Sequence, residues 1–300
     1  MIEASHLTKR FRKFTAVNDV SFNVENGSTV LLIGPNGAGK TTIIRCIMGL
    51  ISFNGTILVD GLDVHKRGEA IRGRIGYVPQ QLIFPESKVM EHSKFVCALK
   101  RVKTEVIPDK LKLMGLWDYK DVKIQSLSAG LRQRFSIALA LMNEPSILIF
   151  DEPISNVDIR GQMDFESIVN SLSGQGKTIL IATHFSGLSE FADNAVVLNH
   201  GNVIATGSPE ELLGKINAKN NLYVKIHNGL TDKAKDVIAK YEGDEITVEG
   251  EWIAAKVPAS TKIALVNTLL QSGFDVQDLI IEDITIESEY LKLIGLEKAS

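Results

Sequence analysis

Short apolar runs, set between polar and glycine-rich punctuation, organise the first two thirds of the chain. Val30 to Ile33, Ile147 to Phe150 and Thr178 to Ala182 are brief, nearly continuous apolar stretches, the character of strands buried on both faces. Val17, Val20, Phe22 and Val24 form a partly alternating stretch, and residues 1–33 read as strands with a turn at Asn26-Gly27. Asn54-Gly55 and Asp60-Gly61 bracket a strand over Thr56 to Val59. Ile75 to Val78 is another, and Ala195 to Leu198 with Val203 to Ala205 makes a hairpin across His200-Gly201. Thr42 to Leu50 carries helical spacing. From Glu86 to Met142 the pattern is mostly helical, broken near Pro108 and Gly115. Strands alternating with helices predict an α/β fold with a largely parallel sheet, into which a helical block of about residues 81–145 is inserted.

Ser208 and Pro209 are a cap and first position for one more helix. The polar stretch Lys215 to Asn221 reads as a linker, which sets domains over 1–216 and 217–300. Beyond it the pattern restarts as strand, helix, two strands, helix, strand, helix: a small α+β module with the order of a ferredoxin-like sheet.

Composition narrows the function classes. With 33 Lys plus Arg against 36 Asp plus Glu, the formal net charge is −3, and the basic excess of a nucleic-acid binder is absent. Cys46 and Cys97 are too few for a disulfide scaffold and read as reduced, buried thiols. Met1 to Arg10 has no apolar core of a secretory signal. The longest apolar candidate, Phe135 to Phe150, is interrupted by Asn143, Glu144 and Pro145, short of the roughly 18 residues that span a bilayer. If this chain serves a membrane, another chain must do the spanning, and a cytoplasmic location is expected.

The sharpest chemical signal is Gly34-Pro35-Asn36-Gly37-Ala38-Gly39-Lys40-Thr41. It matches G-x-x-x-x-G-K-[ST] directly after a buried strand and directly before a helix. Glycines let successive backbone N–H groups turn toward phosphate oxygens, and the helix aims its positive end at them. Lys40 would reach the β and γ phosphates, the Thr41 hydroxyl would ligate Mg²⁺, and Thr42 continues the cradle. A dinucleotide-binding loop has no use for Lys40-Thr41. Asp151 and Glu152 end the second apolar run. Alone, two such carboxylates read equally as a solvated turn. Beside a phosphate cradle, Asp151 reads as the Mg²⁺ ligand of a Walker B strand, and Glu152 as the group that polarises the attacking water. His184 ends the third run, where its imidazole could contact a γ-phosphate oxygen. The other histidines read as structural or exposed.

With these motifs in hand, residues 1 to about 212 resemble the ATPases of ABC transporters. Leu127-Ser128-Ala129-Gly130-Leu131 resembles the family signature LSGGQ. Tyr77-Val78-Pro79-Gln80 resembles the Q-loop, Ser155-Asn156-Val157-Asp158 the D-loop, and Thr183-His184 the switch histidine. Phe11 stands where the family has an aromatic that stacks on adenine, although it also reads as plain core. The resemblance implies a P-loop core with a mainly parallel sheet, an antiparallel β subdomain and a helical insertion. It implies ATP and Mg²⁺, the latter held by Thr41, Gln80 and Asp151, with Lys40, Gln80, Glu152 and His184 catalytic. It further implies a head-to-tail dimer, homo- or heterodimeric, in which Ser128, Ala129, Gly130 and Asp158 of one copy face the nucleotide of the other. Separate transmembrane permease subunits would dock in a groove lined from somewhere in Leu82 to Leu99, including Ile83, Phe84 and Phe95, although each of these also reads as core of the helical block. The chain's end, Ile281 to Leu293, resembles drug, antibiotic and peptide exporter ATPases, so export is the expected direction.

Two departures matter. Ala129 replaces a glycine and Leu131 a glutamine of the signature. If position 129 needs a positive φ, its methyl group would slow hydrolysis, which keeps open a hydrolysis-impaired half of a heterodimer. A soluble ABC-family factor acting on ribosomes or DNA is a third reading, but such factors usually carry two nucleotide domains or a long coiled-coil insertion, and neither is present.

Overall fold

β1 (Ile2–Phe11) and β2 (Phe14–Val24) are joined by a tight hairpin, and Phe11 pairs with Phe14 across it. β3 (Thr29–Ile33) runs into α1 (Lys40–Ile47), followed by β4 (Asn54–Val59), β5 (Leu62–Asp63), α2 (Val64–Arg74) and β6 (Ile75–Val78). The helical block holds α3 (Val89–Lys100), α4 (Ile107–Leu113) and α5 (Ala129–Ala140), linked by 3₁₀ turns. Then come β7 (Ile147–Asp151), α6 (Ile159–Gly174), β8 (Thr178–Thr183), β9 (Asn194–Asn199), β10 (Asn202–Gly207) and α7 (Pro209–Lys215). The computed structural model describes residues 1–154, 159–183, 192–215, 219–227, 231–241, 243–258, 261–271 and 274–282. His184, Asp158 and the export-like stretch beyond Glu282 lie outside the described residues.

The main sheet has the order β10-β9-β3-β8-β7-β6, with only the β9–β10 pair antiparallel. Every residue of β3, β7 and β8 is buried. That explains why these strands carry continuous apolar runs rather than alternation. The C-terminal ends of all three lie at one sheet edge, where ligands of open α/β sheets bind. Ile43, Ile44 and Ile47 of α1 are fully buried in a core shared with Leu32, Ile149 and Leu180. A second, antiparallel sheet, β2-β1-β4-β5, supplies Ile2, Leu7, Val20 and Ile57 to the same core. The hairpin at His200 (φ 45°) and Gly201 (φ 79°) has two left-handed residues, as a tight β-turn between twisted strands requires. The pattern of the chain gave no sign of α2: only Val64 and Ile71 are buried, and Gly68 and Gly73 dilute its helical character. Asp63 starts it, its side chain accepting from the His65 backbone N–H at 2.9 Å.

By its internal contacts the chain divides at Pro209/Glu210, ahead of the expected boundary at 216/217. The described residues of the stretch expected as a linker belong to regular elements. Lys215 ends α7, and Lys219 to Asn221 already pair with Pro258 to Lys256. Backbone pairing does not depend on apolar side chains, so a polar strand start escapes a pattern-based reading. The second unit contains β11 (Lys219–Ile226), α8 (Thr231–Lys240), β12 (Asp244–Glu249), β13 (Trp252–Pro258), α9 (Lys262–Gln271) and β14 (Val276–Glu282). Its sheet order β12-β13-β11-β14 is that of a ferredoxin-like fold. Leu222, Val224 and Ile226 alternate with more exposed neighbours and pack with Ile238 of α8 and Leu265 and Leu269 of α9.

Candidate functional site

The loop between β3 and α1 has the backbone its glycines imply. Gly37 has φ 84° and Gly39, capping α1, has φ 105°, conformations that L side chains resist. At Gly39 a Cβ would also lie 2.6 Å from the Ala16 carbonyl oxygen, and at Gly34 one would lie 2.5 Å from that of Leu198. The loop is therefore pressed against β2 and β9 while its inner side stays open. That inner side forms a cleft of about 290 Å³, lined by Pro35 to Thr42 together with Phe11, Phe14, Ala16, Gln80 and Glu152.

Lys40 and Glu152 meet inside it, although their strands are not neighbours. β8 lies between β3 and β7, and it ties both loops down: Gly34 N–H donates to Thr183 O at 3.3 Å, and Glu152 N–H to Ala182 O at 2.8 Å. Glu152 has φ 52°, a left-handed kink that ends β7 and turns the chain at the cleft. Such strain in a residue without glycine's freedom collects at functional sites. Lys40 Nζ is 2.9 Å from Glu152 Oε1, the two side chains being 5% and 4% exposed. The same ammonium donates to the Gly34 carbonyl and, at 3.2 Å, to that of Pro35. One step away, the Thr41 hydroxyl donates to Asp151 Oδ1 at 3.0 Å, and the Tyr77 hydroxyl to Asp151 Oδ2 at 3.3 Å. Burial pushes the Asp151 carboxyl above its ordinary range, against the two hydroxyl hydrogen bonds, which pull it down. Burial, then the Asp151 charge, pushes Tyr77 up to about 12, so it stays a neutral donor. Thr41 and Asp151 together are a hard oxygen pair beside a phosphate cradle, a donor set that fits Mg²⁺.

Gln80 is exposed on the cleft wall. Phe11, 44% exposed, has the Lys9 ammonium 4.8 Å from its ring centroid, so it is not core. Phe14, 63% exposed, lines the cleft with it. The sequence reading missed Phe14 and gave Tyr77 no role of its own. The available signal was the spacing of Phe11 and Phe14 about a two-residue hairpin turn.

Ser128 is exposed and caps α5, its Oγ accepting from Leu131 N–H at 3.3 Å. Ala129 and Gly130 are already helical with negative φ, and Ala129 is exposed. The methyl group at 129 therefore meets no conformational obstacle. A second cleft of about 250 Å³ runs beside Gln80, lined among others by Tyr77, Pro79, Ile83, Phe84, Val96 and Lys100. Ile83, at 84%, and Phe95, at 56%, are surface residues rather than core of the helical block.

A glycine-cradled lysine at a helix start, with an aspartate–threonine pair and a buried glutamate across one parallel sheet, defines a P-loop nucleotide-binding protein. The ABC transporter family model matches residues 17–155. The chain is 32% identical over 303 residues to the Nod factor export ATP-binding protein I of Bradyrhizobium diazoefficiens, a match covering 99% of this chain and 97% of that protein. It belongs to the ABC transporter ATP-binding family. The probable multidrug ABC transporter ATP-binding protein YbhF of Escherichia coli is 34% identical over 218 residues, 71% of this chain and 38% of that one. Among solved structures, a bacterial ABC transporter cassette seen as a dimer superposes with a TM-score of 0.63 at 25% identity, over 69% of this chain and 98% of that one. A bacterial Atm1-family ABC exporter with ATP bound gives a TM-score of 0.65 at 26% identity, over 71% of this chain and 39% of that one. Among the described residues no helix is long and apolar enough to cross a membrane.

Proposed function

We propose that this chain hydrolyses ATP between two nucleotide-binding subunits and thereby drives export by separate transmembrane permease subunits, acting at the cytoplasmic face of the membrane. The observation that carries the reading is the buried Lys40–Glu152 pair beside Thr41–Asp151, all in one cleft. An entering γ-phosphate offers Lys40 a better anion than Glu152 and takes over its ammonium, which releases the Glu152 carboxylate toward a water. Glu152 orients that water and accepts its proton as the water oxygen bonds to the γ-phosphorus and the bond to the β–γ bridging oxygen breaks. The products are ADP and phosphate. Thr41 and Asp151, with Gln80 on the adjoining wall, would hold Mg²⁺, which when bound would supply charge neutralisation on the phosphates. Lys40, the α1 N-terminus and the backbone of residues 34–42 fix the polyphosphate, while Phe11 and Phe14 supply stacking surface for the base. His184 is assigned to the γ-phosphate. Ser128, Ala129, Gly130 and Asp158 are assigned to the nucleotide of the second copy, so that ATP joins the dimer and hydrolysis releases it.

Export is supported by the relatives named for Nod factor export and multidrug transport. The near full-length match to one of them weighs against a soluble factor acting on ribosomes or DNA. The helical backbone at Ala129 weighs against a conformational block there, one of the two departures behind a hydrolysis-impaired half, the other being Leu131. ATP turnover by the chain with its permease, compared with Glu152→Gln, tests the assignment. A fall of at least about a hundredfold is expected for loss of a catalytic base, and equal rates would overturn it.

A further inference from the structure

On the dimeric reading the tip of α5 faces the second copy, and although the body of the helix is buried its first turn is sparsely packed. A Cβ built on Gly130 meets nothing within 4 Å. One turn further along, Gln133 is 8% exposed, yet its amide nitrogen has no hydrogen-bond partner. Beside it is a cavity of about 20 Å³, room for one water, between α5 (Gly130, Gln133, Ile137), Ile154 and α6 (Gly161, Phe165). Across this loosely filled seam Arg134 Nη2 of α5 donates to Asp164 Oδ2 of α6.

We propose that Arg134 and Asp164 are positioning residues: their ion pair is the strut that sets the height of the Ser128 tip for engagement with the second copy. α5 bears Ser128 at its start. α6 is the helix that follows in the chain from β7, the strand ending in Asp151 and Glu152. A link from α5 to α6 therefore joins what this chain gives to its neighbour's nucleotide with the strand that serves its own. Because the cavity leaves slack in the seam, a charge pair, directional and resistant to sliding, can set a position that loose apolar packing would not. Arg134 and Asp164 are 31% and 44% exposed, so the pair is worth little to global stability, and its effect should be read in assembly instead. The inference rests on the dimeric mechanism proposed above.

The test uses the full chain carrying Glu152→Gln, so that bound ATP is not consumed. Three forms are compared with this parent: Arg134→Gln, Asp164→Asn and the exchange Arg134→Asp/Asp164→Arg. Nucleotide binding to the monomer is followed by fluorescence of an ATP analogue, ATP-driven dimerisation by analytical ultracentrifugation, and folding by thermal melting. Each dimer contains the strut twice, so a loss of about threefold per tip multiplies to about tenfold in the dimerisation constant. The expected result is that loss in both single variants, unchanged monomer affinity for the analogue, unchanged melting, and recovery to within about threefold in the exchange. Singles that dimerise like the parent, affinity for the analogue that falls in step with dimerisation, or an exchange as weak as the singles would each overturn the strut. If the exchange fails to fold, Arg134→Lys takes its place and must dimerise better than Arg134→Gln. A parent that does not dimerise with ATP at all would instead sink the dimeric reading.

Discussion

Lys40→Met puts the cleft's electrostatics on trial independently of catalysis. Lys40 and Glu152 are 2.9 Å apart and only 5% and 4% exposed, so water cannot make good the loss of either. Methionine keeps most of the lysine stem's volume and removes the charge. It leaves the Glu152 carboxylate buried beside Asp151 without its cation. Breaking a pair this deep costs on the order of 3–5 kcal/mol, whereas replacing both charged groups costs far less, because no uncompensated charge remains. The double variant Lys40→Met/Glu152→Gln should therefore regain most of what the single loses, ending within about 1–2 kcal/mol of the parent. Glu152→Gln alone should lose less than Lys40→Met, since the ammonium retains the Gly34 and Pro35 carbonyls. For a unit of roughly 200 residues each kcal/mol moves the midpoint by about 2–4 °C, so Lys40→Met should melt about 6–20 °C lower than the parent. Urea and thermal unfolding without nucleotide, run on all four corners of the cycle, measure this. A Lys40→Met chain as stable as the parent, or a double variant no better than that single, would refute the reasoning that the pair is a closed, buried unit.

Gly39→Ala combines a φ of 105° with a Cβ 2.6 Å from the Ala16 carbonyl; a loss of about 2–5 kcal/mol is expected in urea unfolding, together with loss of nucleotide binding by titration. Phe11→Ala and Phe14→Ala should each weaken ATP binding by about three- to tenfold with kcat nearly unchanged, and an unaffected Phe14→Ala would remove that ring from the base site. The pH dependence of Asp151 has a definite sign. Its folded pKa is raised above the ordinary 3.8, chiefly by burial, so its penalty is absent below the ordinary value and fully present above the raised one. Asp151→Asn should accordingly be at least as stable as the parent in urea at pH 8 without Mg²⁺, with a smaller advantage at pH 4, while its turnover is abolished. Tyr77→Phe removes a hydrogen bond that lowers the Asp151 pKa, so the acid limb of the rate profile should move to higher pH.

What could be read from the residues in order is what local backbone geometry dictates. The phosphate loop is a contiguous stretch whose glycines sit where φ must be positive or a carbonyl presses close, so its spacing carries its shape. Likewise β3, β7 and β8 announce themselves because a strand buried on both faces needs an unbroken apolar run. The ferredoxin-like module was legible as an element order, and the helix expected at its end falls outside the described residues. α2 was not legible, having too few apolar positions to make a stripe, and the start of β11 hid inside a polar stretch.

The sequence by itself determined a glycine loop that ends in Lys40, a carboxylate pair at a strand end and a helix capped by Ser128. Tertiary structure alone decided which of their atoms meet. Lys40 and Glu152 are 112 positions apart in the chain, and only the insertion of β8 between β3 and β7 brings them to 2.9 Å. The hydroxyl of Tyr77 on Asp151, the place of Phe14 beside Phe11, and the strut from Arg134 to Asp164 are of the same kind. Each depends on strand register or helix packing over long separations, and no local propensity encodes such a meeting: it exists only once the sheet has formed.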